Sequence, residues 1–310
     1  MQRKSRKDMQ GGSSYAATIG FFDGVHQGHR FLIDRLCRIA RERGMRSMVI
    51  TFARHPRQVL QTDWQPQLLS TLDEKRELLR QTGVDRVEVL QFDVAMSELS
   101  AHDFMQQVLK ERLGVELLLT GYDNRFGHHR AEGFDDYVNY GRELGIEVMA
   151  GEPLAVKDTN VSSSRIRKLL QEGNVADAAL CLGHPYPLSG CVVHGEQIGR
   201  QLGFPTANLA LDDACKLIPE RGVYAVSVSI EGDSCVYGGM MNIGRRPTFE
   251  GHHTTLEVHL LQYSGDLYGK RLTVRFIARL REERPFPDRD ALIAQMNEDK
   301  QQALQILNKQ

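Results

Sequence analysis

Between Tyr15 and Cys181, short apolar runs alternate with amphipathic stretches, the sequence form of repeated βα units. Strands are predicted at Ala16–Ile19, Ser47–Thr51, Arg86–Leu90, Glu116–Thr120 and Ile146–Met149. Helices fall between them. Phe31–Arg43 carries Leu32, Leu36, Ile39 and Ala40 on one stripe, and Asp73–Gln81 follows Thr71 as its cap. Ala101–Leu113 stops before Gly114, and Gly133–Leu144 stops before Gly145. Short strands buried on both faces and joined by helices predict an open parallel sheet, whose ligands bind beyond the carboxyl ends of the strands. Thr18, Phe52 and Gly121 begin the loops at that edge. Two further helices are expected at Ser162–Gln171 and Val175–Leu180.

At HPYPLSG, His184–Gly190, the texture changes, and two prolines with a closing glycine suit a hinge. Beyond it the apolar period is mainly two, at Gly190–Val193, Gly222–Ile230, Cys235–Asn242, Thr254–Leu261 and Leu272–Leu280. Turn formers at Glu231–Asp233 and Ser264–Asp266 separate several of these runs. The pattern predicts an antiparallel sheet or barrel closed by a helix over Asp288–Leu307, with Leu292, Ile293, Met296 and Leu304 on its apolar face. Two domains are therefore expected, residues 1–184 and 185–310.

The composition adds only exclusions. In 310 residues, 41% are hydrophobic and 25% charged, enough apolar material for two modest cores. The 39 basic and 40 acidic side chains nearly cancel, so the overall balance gives no nucleic-acid or anionic-membrane footprint. The basic opening MQRKSRK, followed by GGSS, reads as a disordered end. No apolar stretch suits a signal peptide or a membrane span, which predicts a cytoplasmic protein. Cys37, Cys181, Cys191, Cys215 and Cys235 are scattered and odd in number, fitting neither a zinc site nor a disulfide framework.

The chemistry concentrates in three stretches. In TIGFFDGVHQGHRFLIDRL, Thr18–Leu36, a strand runs into a glycine turn and then a helix that opens near His26 or Gly28. Free amides at a helix start attract phosphate, and Gly20, Gly24 and Gly28 allow close backbone approach. His26 and His29, three apart, can share one side of the first turn and donate hydrogen bonds to a phosphoryl group as its charge grows. Surface histidines or a partial metal site are the bland alternatives, and GxxxxGK[ST] is missing. In NVSSSRIRKLL, Asn160–Leu170, a serine caps a helix whose amides, with Arg165 and Arg167, can face a polyphosphate. The cap and the substrate contact are one geometry at this level.

The third stretch is HGEQIGRQLGFPTANLAL, His194–Leu211. Gly195, Gly199 and Gly203 open a loop around an anion, Arg200 is a donor, and Pro205 stiffens the approach to Thr206 and Asn208. Two apart in an extended segment, Thr206 and Asn208 point the same way and can reach one Mg2+. A plain glycine-rich hairpin is the alternative.

GFFDGVHQGH followed by VSSSRIR resembles the HxGH and [ST]SSxxR elements of the nucleotidylyltransferase fold, as arranged in the bacterial bifunctional riboflavin kinase/FAD synthetase (FMN adenylyltransferase) family. TFARHP, GYDNRFGHHR, GRQLGFPTAN, RGVYAV, GGMMNIGRRPTF and LEVHLL are similar to its further elements in the same order, so the resemblance covers nearly the whole chain. Arg54 stands where the family often has proline, and Asn124 where it has an aromatic residue. The implied fold is an amino-terminal nucleotidylyltransferase-type parallel sheet with flanking helices, plus a carboxy-terminal riboflavin-kinase-type antiparallel β-barrel closed by a helix. The implied activities are phosphorylation of riboflavin to FMN and transfer of AMP from ATP to FMN, giving FAD and pyrophosphate. By the same resemblance, His26 and His29 stabilise ATP phosphates, Asp23 arranges the turn with Gly20, Phe21 and Gly28 around it, and Asn124 borders the flavin pocket. Ser164, Arg165 and Arg167 hold polyphosphate, Thr206 and Asn208 take Mg2+ and ATP, Asn242 and Arg245 lie near the nucleotide, and Glu257 is the base for the ribityl hydroxyl. An alternating LEVHLL strand sends Glu257 to one face and Leu256 and Val258 to the other, although a solvent-facing glutamate would do the same.

The expected partners are riboflavin, FMN and ATP, with Mg2+, no nucleic acid, no membrane and at most a weak homo-oligomer. Two rivals stay open on the residues alone. The first half could serve another adenylyl-transferring enzyme, including a tRNA synthetase, and the whole could be a flavin sensor without turnover.

Overall fold

Five parallel strands form the first sheet: β1 (Tyr15–Ile19), β2 (Arg46–Phe52), β3 (Arg86–Leu90), β4 (Val115–Thr120) and β5 (Glu147–Ala150). They stand in the order β3-β2-β1-β4-β5, all in parallel register. The order reverses between β1 and β4, which creates a crevice beyond their carboxyl ends. The computed structural model describes residues 14–60, 63, 65–121, 125–128, 132–156, 159–195, 199, 202–248 and 251–309. Asn124, Arg200, the basic amino-terminal tail and parts of the 121–130 loop lie outside the described residues.

The period-two pattern determines which face each side chain buries. Ala17, Ile19, Met48, Ile50 and Leu118 pack against Phe104, Met105, Val108, Leu109 and Tyr137 on one face. On the other face, Ala16, Val49, Leu117 and Leu119 meet Leu32, Ile33, Leu36, Ala40 and Leu79. Full burial of each large aliphatic contributes about 1.5–3 kcal/mol. Helices α1 (Gln27–Glu42), α2 (Leu72–Arg80) and α3 (101–112, widening to π-type bonding from Phe104) supply these partners, with α4 (Phe134–Leu144). Helix α1 opens at Gln27, between the expected His26 and Gly28 and four residues before the apolar stripe from Phe31, because the His26 side chain caps it. Thr71 and Glu74 form the reciprocal capping box of α2.

The second fold is a closed barrel of antiparallel strands. It contains β6 (Tyr186–Val193), β7 (Ala207–Leu211), β8 (Gly222–Ile230), β9 (Val236–Thr248), β10 (Gly251–Leu260) and β11 (Arg271–Arg281). Their order around the barrel is β8-β9-β10-β7-β6-β11. Helices α5 (Ser163–Gln171) and α6 (Val175–Leu182) precede it, and α7 (Arg289–Leu307), capped by Asp288, closes it. Met296, Leu304 and Leu307 of α7 pack on Phe204, Ala225, Met240 and Leu261.

The chain through Pro66 with Ser70–Val161 forms one compact unit, and Gln67–Leu69 with the chain from Ser162 onward forms the other. These compact units meet in sequence at 161/162, and within the second α6 buries Val175, Ala178, Cys181 and Leu182 and packs against β11. HPYPLSG is largely a barrel strand: Tyr186, Leu188 and Gly190 point inward from β6 in register with Phe276, Val274 and Leu272. Pro187 occupies an outward position, where strand alternation tolerates it. Strand β7 was hidden inside the glycine-rich stretch. Among the described residues, no helix is long and apolar enough to cross a membrane.

Candidate active sites

The first site is built at the end of β1. The Gly20 amide donates to Ile50 O at 3.0 Å, continuing the ladder for one residue before the chain turns. Phe22 (φ 52°), Gly24 (φ 73°) and Val25 (φ 40°) then take left-handed backbone conformations. For the two non-glycines this costs on the order of 1–3 kcal/mol each, strain of the kind that collects at functional turns. Asp23 offsets some of it. Its carboxylate accepts from Ser70 N (3.0 Å) and Ser70 Oγ (3.2 Å), while Gly24 N donates to Ser70 Oγ at 2.9 Å. A Cβ on Gly28 would stand 3.3 Å from the His26 ring and 3.4 Å from Val161 O, close enough to press on the histidine pair.

The turn brings the two histidines together. Their rings stack at 3.5 Å with 16° between planes, and His26 Nδ1 accepts from His29 N at 3.3 Å. That bond makes Nε2 the protonated nitrogen of a neutral His26. Desolvation, then the charges of His26 and Lys75, hold the His29 imidazole well below its usual pKa. His29 Nδ1 is shut off from solvent and has no hydrogen-bond partner among the described residues. A stacked pair at a helix start, in which burial disfavours the charged form of His29 and leaves its Nδ1 unspent, suits directional hydrogen bonding to a phosphoryl oxygen better than metal ligation. Among the described residues no cluster of metal-ligating side chains occurs. Phe21 lies beside this turn, its ring edge-on to His55 at 4.6 Å.

Of the three serines that could cap α5, Ser162 does so, accepting from Arg165 N at 3.3 Å. Ser164 is exposed on the first turn, and Arg165 keeps a buried guanidinium nitrogen without a hydrogen-bond partner among the described residues. Arg167 Nε donates to Gln67 O at 2.7 Å. These residues belong to the second compact unit, whereas the histidine turn belongs to the first.

In the barrel, strand register assembles the second site. Glu257 is paired with Asn208 on one side and with Asn242 on the other, so three polar residues form a row across β7, β10 and β9. Thr206 Oγ1 donates to Glu257 Oε2 at 3.3 Å. Leu256 and Val258 are buried inside the barrel, as the alternation predicted, leaving Glu257 and His259 on the other face. Glycines make room: a Cβ on Gly195 would lie 2.1 Å from Asn208 Nδ2, and one on Gly199 would lie 2.4 Å from Phe204 O and 3.1 Å from Thr206 Oγ1. Gly203 takes φ 83°, and the Pro205 carbonyl accepts from His259 Nδ1 at 2.8 Å. Arg245 is exposed on β9, opposite Thr254, and does not line the cleft described next.

That cleft, of about 660 Å3, is lined by Thr206, Asn242, Glu257 and His259 on the barrel side and by Phe286, Leu292 and Met296 at and near α7. Its volume and its mix of apolar walls with a few polar groups suit a planar aromatic ligand carrying a polar tail. Arg281 bridges β11 to α7 by donating to both carboxylate oxygens of buried Asp299, at 2.8–3.0 Å. Arg281 and Arg284 each lie 5.4 Å from the Phe286 ring centroid.

Four residues of these sites were missed in the sequence: Lys75, His259, Arg281 and Asp299. Lys75 carried a readable signal, a charge on an apolar stripe three residues after Leu72 and four before Leu79. His259 also did, two residues from Glu257 on one strand face. The Arg281–Asp299 pair had none, because a contact between a strand and a later helix leaves no local pattern.

A doubly wound sheet with a phosphate-turn histidine pair, and a barrel with a carboxylate set among hydroxyl and amide groups beside an aromatic-sized cleft, define a two-module transferase of phosphoryl and nucleotidyl groups. The FAD synthetase family model matches residues 9–165, and the riboflavin kinase model matches residues 182–307. The chain is 39% identical over 282 residues to the bifunctional riboflavin kinase/FMN adenylyltransferase of Escherichia coli (strain K12), covering 91% of this chain and 89% of that one. Against the protein of the same name from Bacillus subtilis (strain 168) it is 35% identical over 297 residues, covering 94% and 92%. A crystal structure from Streptococcus pneumoniae, described as a macrolide-efflux protein, matches with a TM-score of 0.86 at 31% identity over 95% of both chains. The chain belongs to the bifunctional riboflavin kinase/FMN adenylyltransferase family. It phosphorylates riboflavin to FMN and adenylylates FMN to FAD.

Proposed function

We propose that the two reactions divide between the two sites, with FMN made at the barrel and consumed at the histidine turn. The observation that carries this is the row Asn208–Glu257–Asn242, with Thr206 bonded to Glu257, at the wall of the aromatic-sized cleft. In the kinase step, the terminal ribityl oxygen forms a bond to the γ-phosphorus of ATP, the bond to the β-γ bridging oxygen breaks, and ADP leaves. Glu257 orients that hydroxyl and takes its proton. Thr206 and Asn208 present hydroxyl and amide oxygens, the hard donors that Mg2+ prefers, in a cradle that a Cβ on Gly195 or Gly199 would fill. When bound there, Mg2+ would neutralise phosphate charge. Asn242 extends the polar row beside Glu257.

In the adenylyl step, an FMN phosphate oxygen attacks the α-phosphorus of ATP and pyrophosphate leaves. His26 and His29 donate hydrogen bonds to the phosphoryl oxygens as charge shifts among them. Asp23 holds the turn through Ser70, and Gly28 leaves space for it. Positioning and electrostatics supply the catalysis without a covalent protein intermediate. The five thiols are all free, the state a reducing cytoplasm keeps, and the partners are small molecules.

Incubation of the purified chain with riboflavin, Mg2+ and labelled ATP tests the order of events. FMN should appear first, followed by FAD with release of pyrophosphate. Riboflavin that binds but remains unchanged would contradict the account.

A further inference from the structure

Lys75 lies in helix α2, outside every motif discussed above, yet its side chain is only 2% exposed. Its Nζ donates to Phe21 O at 3.1 Å and to Phe52 O at 2.9 Å, and sits 3.9 Å from the Phe21 ring centroid. Phe21 belongs to the histidine turn after β1, and Phe52 ends the neighbouring strand β2. One ammonium thus ties together the two loops at the carboxyl edge of the sheet. Thr51 Oγ1 adds a bond to the same Phe21 carbonyl at 3.0 Å.

This arrangement is costly as a purely structural device. Desolvating an ammonium costs several kcal/mol, repaid fully only by a close counter-charge. Among the described residues, Lys75 has no ion-pair partner within 4 Å. Two neutral carbonyls and an aromatic face stabilise the cation without cancelling its charge. The charged and titratable groups that act on Lys75 and His29 are Asp23 on the turn, His26 at the start of α1 and Arg76 on α2. A buried positive charge that has no direct ion pair among the described residues and is offset only through Asp23 on the turn still attracts an anion in front of it.

We propose that Lys75 is a positioning residue for adenylyl transfer, holding the histidine turn against the loop after β2 and supplying a fixed positive charge behind the phosphate. The inference rests on the assignment of adenylyl transfer to the histidine turn. Two further observations support it. The Lys75 charge is one of the influences that keep His29 neutral. Burial pushes the Lys75 ammonium down to about 8, with Asp23 acting in the opposite direction.

The test uses the full chain carrying Lys75→Met, with adenylyl transfer from supplied FMN measured across pH and the kinase reaction on the same chain as the control for folding. The expected result is a loss of about tenfold or more in kcat/KM for ATP in adenylyl transfer, with the kinase unchanged. Wild type should show an alkaline limb near pH 8, and the variant should lack it. In Lys75→Ala, added propylammonium should restore part of the rate. Unchanged adenylyl transfer in Lys75→Met overturns the proposal, and so does a loss with the wild-type pH profile and no rescue. His29→Ala, run in parallel, separates the two claims. If it keeps full FAD formation, the assignment of the turn is wrong; if it is inactive while Lys75→Met is normal, only the role of Lys75 fails.

Discussion

Thr206 donates its hydroxyl proton to Glu257 across 3.3 Å, joining the glycine-rich loop to strand β10 at the wall of the cleft. The contact links a group suited to Mg2+ with a group suited to deprotonating an alcohol. Glu257→Gln keeps a carbonyl acceptor for Thr206 but removes the base. Riboflavin phosphorylation should fall by about 10²–10⁴-fold, while FAD formation from supplied FMN continues. Separate initial-rate assays with riboflavin and with FMN check this.

His29→Ala should do the reverse. If its contact is worth about 10²-fold, the adenylyl barrier rises by roughly 2.7 kcal/mol while the kinase rate is unchanged. Quenched samples resolved into riboflavin, FMN and FAD would show FMN accumulating.

The same histidine makes stability depend on pH. Its folded pKa lies below the usual value of 6.5, so the unfolded chain binds the proton more readily. Stability is therefore retained above about 6.5 and lost as the pH falls from there toward the folded pKa. Thermal unfolding should show a larger drop in Tm on acidification for wild type than for His29→Asn. Equal drops would place the titration elsewhere.

Most of the fold was legible because period-two runs separated by capped helices leave local marks, and Arg86–Leu90 and Gly222–Ile230 match their strands end to end. The histidine pair, Thr206 and Asn208 stood out because glycines and alternation imply direction, whereas Glu257 was singled out by the family resemblance. What stayed hidden depended on tertiary partners. Strand β7 exists because Ala207 and Asn208 pair with Val258 and Glu257, and Tyr186 turns a proline-rich joint into a strand by burying its ring beside Phe276. Arg281 acquires its role only when Asp299 arrives on a helix that follows it.

That ion pair yields another expectation. Asp299 is buried, so Asp299→Ala would leave the Arg281 guanidinium without its counter-charge and loosen α7 from β11. The loss in stability should be on the order of 3 kcal/mol, with a raised KM for riboflavin because α7 carries one wall of the cleft. Thermal unfolding and kinase kinetics measure the two effects.

Gly195→Ala probes the cradle without touching a charge. The new Cβ would fall 2.1 Å from Asn208 Nδ2, so the amide must move. The kinase should weaken and require more Mg2+, with adenylyl transfer from FMN unaffected. Titration of Mg2+ in both assays would reveal the split.

The central claim is that two phosphate chemistries occupy two separate sites, and the most direct measurement is a product-resolved time course from riboflavin and ATP on His29→Ala, Glu257→Gln and their equimolar mixture. The account predicts FMN without FAD from the first, neither product from the second, and FAD from the mixture. Equal loss of both products in either single variant when FMN is also supplied, or FAD formation by His29→Ala alone, would contradict it.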